Sequence, residues 1–312
     1  MEYAHPEVLV ATQWVAEHLE DPMVRVLEID YEPQDAYELG HIPRAALIDW
    51  RRDINDPVRR DILSKEQMEA LMRRLGVTPE MTLALYGDLR NWFAAFAFWT
   101  LKIYGHEDVR LMNGGRRAWF DEGRDVTGKV PEFQTTTYKA RGADIGLRAL
   151  LAQVLQVYTR DDFALVDVRS PAEYNGEISA PPEHPDESCQ RAGHIPGAVS
   201  IPWAQAITDD DTFRSREELE ALYTAGGITP DKSIVTYCRI GERSSHTWFV
   251  LKYLLGYPVV INYDGSWSEF GNVVGVPVEN PSAGRAWSQP DQETTRSCDP
   301  AALKHQGRTV VI

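Results

Sequence analysis

Cysteine and long apolar runs are both scarce in this chain. It has three cysteines in 312 residues, Cys189, Cys238 and Cys298, too few for a disulfide framework. None lies in a CxxC pair, which argues against a structural zinc site. No stretch approaches the roughly 20 apolar residues of a membrane helix, and the acidic N-terminal segment does not resemble a signal peptide. We therefore expect a cytoplasmic protein that does not bind a membrane.

Positive charge is also in short supply. Lysine and arginine number 32 against 47 aspartates and glutamates, which gives a formal net charge of −15. This balance argues against a nucleic-acid partner, because such partners are held by neutralising their phosphates. A small anionic substrate is still compatible with it, since a local group of arginines can oppose the overall field.

The chain contains an internal repeat. Asp30 and Tyr37 align with Asp167 and Tyr174, and the segment GHIP occurs at residues 40–43 and again at 193–196. Between these landmarks the second copy carries a 16-residue insertion, residues 175–190. Further on, residues 83–115 align with residues 234–266 without a gap. Such a long period indicates two related domains rather than a solenoid.

Each copy alternates short apolar runs with helical patterns. The segments VRVLEID, TLALYG, FALVDVR and SIVTYC are typical of buried strands, and helices are predicted over residues 92–105 and 244–256. Strands that alternate with helices predict an α/β fold with a mainly parallel sheet in each domain. A polar stretch at residues 123–144 separates the copies. We predict domains at residues 1–125 and 144–276, followed by a tail at residues 277–312.

One loop of the second copy combines a nucleophile with cations. Cys238 ends a predicted buried strand, Gly241 follows in a short loop, and a helix begins after it. Inward-pointing N–H groups, the helix N-terminus and the charges of Arg239 and Arg243 should all favour the thiolate. We therefore expect a lowered pKa for Cys238. The alternative is a purely structural role, in which Cys238 is a small buried side chain and the two arginines are ordinary surface cations.

Here the sequence resembles the tandem-domain rhodanese family, the thiosulfate sulfurtransferases. The resemblance covers roughly residues 8–276 and rests on VDVRSPAEY, GHIPGAVSIPW, YCRIGERS and NYDGSWSEF. It implies that only the second domain is catalytic. The first copy agrees, because Gly87 stands opposite Cys238 and Trp92 stands opposite Arg243.

The resemblance also implies a double-displacement reaction. The Cys238 thiolate would take sulfur from thiosulfate, hold it as a persulfide and pass it to cyanide or a thiol, without a metal or organic cofactor. The residues expected to bind substrate are those of the loop and one upstream arginine: Arg239, Ile240, Gly241, Glu242, Arg243, Ser244 and Arg169. A sulfur-accepting protein partner would be of unknown identity.

Several alternatives stay open. The two arginines favour the thiosulfate dianion over 3-mercaptopyruvate, whose relatives usually have a neutral, glycine-rich loop. Glu173 weakens this argument, because many tandem relatives have a substrate-binding arginine there. A non-enzymatic persulfide carrier for protein partners is a further alternative. The loop length argues against a phosphatase. Related phosphatases place five residues between cysteine and arginine, whereas this chain has four between Cys238 and Arg243.

Other residues receive weaker assignments. Asp167 and His194 recur in the first copy, as Asp30 and His41, which favours structural roles. Arg169 does not recur, which favours function over an exposed salt bridge. We expect Glu242 to face solvent or pair with an arginine. Cys189 is more simply an incidental loop cysteine than a second sulfur relay. The central hypothesis fails if Cys238 is buried, its arginines are turned away and no pocket lies above it.

Overall fold

The computed structural model describes residues 2–181 and 189–284 of the chain. Most of the predicted tail, including Cys298, and seven residues of the insertion lie outside the described residues. Within them the chain forms two parallel sheets flanked by helices, one sheet for each copy of the repeat. This confirms the predicted α/β class. No helix in these two ranges has the length and apolar character needed to cross a bilayer.

The first sheet has the strand order β1-β5-β4-β2-β3. Its strands are β1 (Leu9–Val10), β2 (Val24–Asp30), β3 (Ala46–Asp49), β4 (Thr82–Tyr86) and β5 (Val109–Met112). The helices around it are α1 (Thr12–Glu17), α2 (Trp50–Asp53), α3 (Lys65–Arg74), α4 (Trp92–Ile103) and α5 (Gly115–Asp121). β2 and β4 are nearly continuous buried runs because helices cover both faces of the sheet.

The second sheet has the strand order β7-β6-β8-β9. Its strands are β6 (Phe163–Asp167), β7 (Val199–Ser200), β8 (Ser233–Tyr237) and β9 (Val260–Tyr263). The helices around it are α6 (Leu151–Val157), α7 (Pro171–Asn175), α8 (Arg216–Ala225), α9 (Glu242–Phe249) and α10 (Ser266–Phe270). A π-helical turn, Val250–Leu254, extends α9.

The two domains share one hydrophobic core. Helix α4 of the first domain packs against α9 of the second, and the rings of Phe98 and Phe249 lie 4.9 Å apart between centroids. As a result α9 is buried all round, although its sequence pattern indicated a single apolar face. The helix also begins at Glu242, two residues earlier than predicted, because Gly241 turns the chain with a φ of +102°.

The recurring histidines are structural, as predicted. Both ring nitrogens of His194 have partners: the Tyr174 carbonyl at 2.8 Å and the Glu279 carboxylate at 3.0 Å. His41 is held in the same way by two carbonyl groups. Neither ring is available as a general base or ligand.

Candidate active site

Cys238 directly follows the last residue of β8, at the carboxyl end of the strand. β8 lies between β6 and β9, so the loop emerges from the interior of the sheet. In parallel sheets, ligands bind beyond the carboxyl ends of the strands. The predicted strand, loop and helix are therefore present at the position where chemistry is expected.

The loop is held by hydrogen bonds with the first residues of α10, the helix that follows β9. The carbonyl of Cys238 accepts from the Trp267 N–H at 3.0 Å, and the carbonyl of Arg239 accepts from the Ser268 N–H at 3.0 Å. The Cys238 N–H donates to the Ser266 hydroxyl at 3.0 Å. Within the loop, the Gly241 N–H donates to Cys238 Sγ at 3.1 Å. The loop backbone thus supplies a donor to the sulfur, as the sequence predicts.

Gly241 is required by its backbone and by its neighbours. Its φ of +102° is unfavourable for residues with a side chain. A Cβ atom there would lie 2.8 Å from the Cβ and 2.9 Å from the Cα of Asp264. The Gly241 carbonyl accepts from the hydroxyls of Ser244, at 3.1 Å, and Ser245, at 2.7 Å. Ser244 and Ser245, in the first turns of α9, therefore hold the Gly241 carbonyl in place.

Glu242 lies in the interior of the site. Its side chain is buried, and Oε2 is 3.3 Å from Cys238 Sγ. Oε1 is 3.4 Å from Nε of Arg243 and 4.0 Å from a guanidinium nitrogen of Arg239. The expected pairing with an arginine is present, whereas the expected exposure to solvent is wrong. Glu242 is kept inside because both neighbouring guanidinium groups are themselves buried.

Arg243 is held by a second carboxylate. It donates two hydrogen bonds to Glu173, of 2.9 and 3.0 Å, and both side chains are buried. Arg239 and Arg243 therefore face Glu242 and Glu173, and the four formal charges cancel. The doubly cationic loop inferred from the sequence is wrong, since two carboxylates neutralise it.

The pKa of the Cys238 thiol is raised above the ordinary cysteine value, contrary to the sequence expectation. Complete burial is the largest cause, because a buried thiolate loses its hydration. The Glu242 carboxylate raises the pKa further, whereas Arg243 and the hydroxyl and N–H of Ser244 lower it. The neutral thiol is the favoured form in this closed arrangement.

Arg169 is buried away from solvent. Its guanidinium makes several hydrogen bonds to Asp167, the shortest 2.6 Å, and another of 2.7 Å to the Gly193 carbonyl. Both side chains of the pair are fully buried, so the exposed salt bridge considered for Arg169 is absent. The guanidinium also lies 4.5 Å from the centre of the Trp267 ring. The structure does not bring Arg169 to the loop as a free cation.

The sulfur of Cys238 is closed off from solvent, with a relative exposure of 0%. A groove of about 520 Å³ between the domains does reach the loop. Its lining includes Ile240 of the loop, Tyr31, Trp50 and Arg60 of the first domain, and Ser268. Ile240 is the loop residue that lines this groove, and Cys238 itself does not line it.

The first domain has no equivalent site. Gly87 occupies the place of Cys238, and a Cβ atom there would lie 2.3 Å from the Ile29 carbonyl oxygen. Trp92 occupies the place of Arg243, and the two meet across the interface, with the guanidinium carbon 5.9 Å from the ring centre. Trp203 packs on Trp92 with ring centroids 4.8 Å apart. The first domain therefore forms one wall beside the loop.

Three contacts around the loop were not assigned from the sequence. Ser266 lies within the recognised segment NYDGSWSEF, which could have suggested its contact with Cys238. Glu173 was noticed as a departure from the family pattern, but its partner Arg243 was not. Arg60 lies in no recognised motif, and 180 residues separate it from the loop residue it contacts. Cys189 is buried and within 3.2 Å of the Trp267 carbonyl oxygen, a packed position.

Both halves of the chain match the rhodanese-like domain, over residues 11–122 and 150–272. The chain belongs to the rhodanese family. It is 58% identical to the sulfur carrier protein TtuD of Thermus thermophilus, over 89% of this chain and 98% of that protein. It is 48% identical to a Saccharopolyspora erythraea protein provisionally named thiosulfate sulfurtransferase, over 88% of this chain and 97% of that protein. These relatives support a sulfurtransferase function for this rhodanese.

The fold also resembles solved structures of enzymes that handle sulfur. Wild-type EanB matches with a TM-score of 0.80 and 27% identity, over 89% of this chain and 70% of that chain. A variant of EanB was solved with ergothioneine covalently linked to a cysteine persulfide. It matches with a TM-score of 0.79 and 27% identity, over 89% of this chain and 71% of that chain.

Proposed function

We propose that this rhodanese takes sulfane sulfur from thiosulfate onto Cys238 and passes it to a thiol, or to cyanide in an assay. The observation that carries the proposal is the 3.1 Å hydrogen bond from the Gly241 N–H to Cys238 Sγ at the end of β8. A preorganised N–H group at this place stabilises negative charge on sulfur. The name of the Saccharopolyspora erythraea relative supports thiosulfate as the donor.

In the proposed reaction the Cys238 thiolate attacks the outer sulfur of thiosulfate. A new sulfur–sulfur bond forms, the bond inside thiosulfate breaks, and sulfite leaves with the electron pair. Cys238 then carries an anionic persulfide. An acceptor thiolate attacks its terminal sulfur, departs as a persulfide itself and regenerates the Cys238 thiolate. This covalent route requires ping-pong kinetics.

The loop residues have distinct proposed roles. The N–H of Gly241 and the hydroxyl of Ser244 support the anionic sulfur, and Ile240 lines the groove toward it. Arg239 and Arg243 bind the substrate anion once the loop opens. The Glu242 carboxylate places a negative charge beside the sulfur and raises the pKa of the thiol.

We assign Arg169 a structural role instead of substrate binding. The reason is that the Asp167 carboxylate and the Gly193 carbonyl both hold its guanidinium in a fully buried position.

A second candidate function is a sulfur carrier that exchanges its persulfide with protein partners. One feature of the site favours it: Glu173 and Glu242 cancel the arginine charges that would attract a free dianion. The name of the Thermus thermophilus relative agrees with this candidate.

The test mixes the purified full chain with thiosulfate and cyanide and follows thiocyanate. Wild-type protein should turn over, Cys238→Ser should be inactive, and the matched control Cys189→Ser should retain activity. Gain of one sulfur atom on Cys238 by mass spectrometry without thiocyanate formation would instead favour the carrier. Turnover with 3-mercaptopyruvate alone would favour that donor. Failure of Cys238 to acquire sulfur from any donor would overturn the proposal.

A further inference from the structure

An arginine of the first domain reaches into the loop of the second. Arg60 donates from Nη2 to the Ile240 carbonyl oxygen at 2.8 Å and from Nη1 to the Asp264 carbonyl oxygen at 3.1 Å. Arginine suits such a double contact because its planar fork carries several donors in fixed directions. The bond to Ile240 places a charged donor of the non-catalytic domain directly on the loop that contains Cys238.

The Ile240 carbonyl belongs to the same peptide unit as the Gly241 N–H. This unit is planar and trans, so its C=O and N–H groups point in opposite directions. Arg60 binds the oxygen on one side, and Cys238 Sγ accepts from the N–H on the other side at 3.1 Å. A hydrogen bond at one end of an amide orients the other end, and a charged donor also polarises it.

The carbonyls of Cys238, Arg239 and Gly241 are held from within the second domain, the last of them by the hydroxyls of Ser244 and Ser245. Trp267 and Ser268 donate their N–H groups to the carbonyls of Cys238 and Arg239, each at 3.0 Å. The Ile240 carbonyl is held from the first domain instead. The direction of the N–H that binds the sulfur therefore depends on how the two domains are docked.

The segment that carries Arg60 is itself firmly placed. Its ends form a bridge between Asn55 and Ile62, and the Arg60 N–H donates to the Asp56 carbonyl at 2.8 Å. Arg60 has a φ of +54°, which is uncommon for a residue with a side chain. The next residue, Asp61, binds Arg148 at 2.7 Å, and Arg148 also binds Asp264. These contacts aim Arg60 at the loop.

We propose that Arg60 is a positioning residue for Cys238: it holds the peptide between Ile240 and Gly241 so that its N–H points at the sulfur. This makes the first domain a working part of the site rather than only a wall. The inference rests on the proposed function of Cys238 as the residue that accepts sulfur.

Glu242 and Arg243 also act on the sulfur, and further charged groups pack around them, so the test must separate Arg60 from all of these. Near the loop, Glu242 contacts the sulfur and also faces Arg239 and Arg243. Glu173 of α7 binds Arg243 from behind. Asp264, directly after β9, binds Arg148. None of them is changed in the variants below. Differences between the variants therefore report on Arg60.

The experiment measures the pH dependence of Cys238 alkylation by iodoacetamide, followed on the Cys238 peptide by mass spectrometry, in the full chain. Arg60→Ala should raise the apparent thiol pKa by about half a unit to one unit, the effect of one lost hydrogen bond. Sulfur loading from thiosulfate at neutral pH should slow by about threefold to tenfold. Arg60→Lys keeps the charge but has no planar fork, so its pKa should be intermediate.

Two controls separate this role from general effects. Arg59→Ala removes the neighbouring exposed cation, which pairs only loosely with Asp56 at 3.4 Å. Arg117→Ala loosens the domain interface elsewhere, where Arg117 donates to the Asp209 carbonyl at 2.7 Å. Both should match the wild type.

An Arg60→Ala profile equal to wild type would overturn the inference. A shift of the same size in either control would also overturn it, because a general change in local charge or in domain docking would then explain the result. Full recovery of the wild-type pKa in Arg60→Lys would overturn it too, because the positive charge alone would then suffice. Failure of the proposed function would look different from failure of this inference, because wild-type Cys238 would then take no sulfur from thiosulfate at all.

Discussion

The guanidinium group of Arg243 and the carboxylate of Glu173 form a buried, two-bond ion pair, with distances of 2.9 and 3.0 Å. Burial alone would raise the pKa of Glu173, but the attraction and hydrogen bonds of Arg243 lower it to about 2. Arg243 is therefore present beside Cys238, but the Glu173 carboxylate already neutralises its charge, so the guanidinium attracts a substrate anion less strongly.

Breaking this pair should affect stability and reactivity separately. Arg243→Leu leaves the buried Glu173 with hydrogen bonds from Ser170 but without the cation that it binds, and should lower the free energy of unfolding by about 3–5 kcal/mol. It should also raise the thiol pKa, because Arg243 lowers it in the native chain. The double variant Arg243→Leu, Glu173→Leu should regain most of the stability, since two apolar side chains replace the pair. Its thiol pKa should stay high.

Urea unfolding and Cys238 alkylation against pH measure the two effects. The matched control is Arg216→Leu, which breaks a pair with Glu220 at 2.7 Å that is partly exposed. It should change stability by less than about 1 kcal/mol. Equal losses at the buried and the exposed pair would contradict the assignment.

Glu242 should hold back ionisation of the thiol. Its carboxylate lies 3.3 Å from Cys238 Sγ and raises the thiol pKa. Glu242→Gln keeps the size and removes the charge, so the pKa should fall and alkylation near pH 7 should become faster. Glu80→Gln, on the exposed surface of the first domain, is the control and should behave as wild type. A slower reaction in Glu242→Gln with an unchanged pKa would show that the charge is not what restrains the thiol.

The wild-type pH profile follows from the raised thiol pKa. The alkylation rate of Cys238 should keep rising beyond about pH 8.5, the ordinary thiol value, and should not level off near neutrality. The folded chain holds this proton more tightly than the unfolded chain does. Stability should therefore decline as pH rises from the unfolded value through the folded one. A plateau reached below pH 7 would mean that the thiolate is already favoured in the resting protein.

Placing a cysteine at the equivalent position of the first domain should not create a second site. A side chain at Gly87 meets the Ile29 carbonyl oxygen at 2.3 Å, so Gly87→Cys should destabilise the chain by about 1–3 kcal/mol. The double variant Gly87→Cys, Cys238→Ser should lack sulfurtransferase activity, because Trp92 replaces the loop arginine. Gly128→Cys is the matched control, since a Cβ atom at that residue would have no neighbouring atom within 4 Å. Activity in the double variant would show that the loop charges matter little.

The repeat, the parallel sheets and the position of Cys238 were all predictable from the order of residues along the chain. β2 runs over Val24–Asp30, the full segment VRVLEID from which it was predicted. The loop was equally visible, because Cys238, Gly241 and the start of α9 are neighbours in sequence. Patterns of this kind are local, and short-range backbone preferences are enough to produce them.

The electrostatics of the site could not be obtained in that way. Arg239 and Arg243 were recognised as cations, but Glu173 comes to Arg243 from a helix 70 residues upstream. Arg60 comes to the loop from the other domain. The sign of the shift in the thiol pKa was predicted wrongly for a further reason: burial of Cys238, the largest cause, and the inward position of Glu242 both raise it, and neither can be read from a count of charges.

The order of amino acids along this chain was sufficient to specify two rhodanese domains and to show which of them carries Cys238 in a strand–loop–helix segment, because these signals lie in adjacent residues. The pKa of the Cys238 thiol was decided by folding. Burial removed water from Cys238, and distant parts of the chain brought Glu173 and Arg60 to its loop. A thiol pKa is a sum over such neighbours and over lost hydration, and both depend on the packed three-dimensional arrangement.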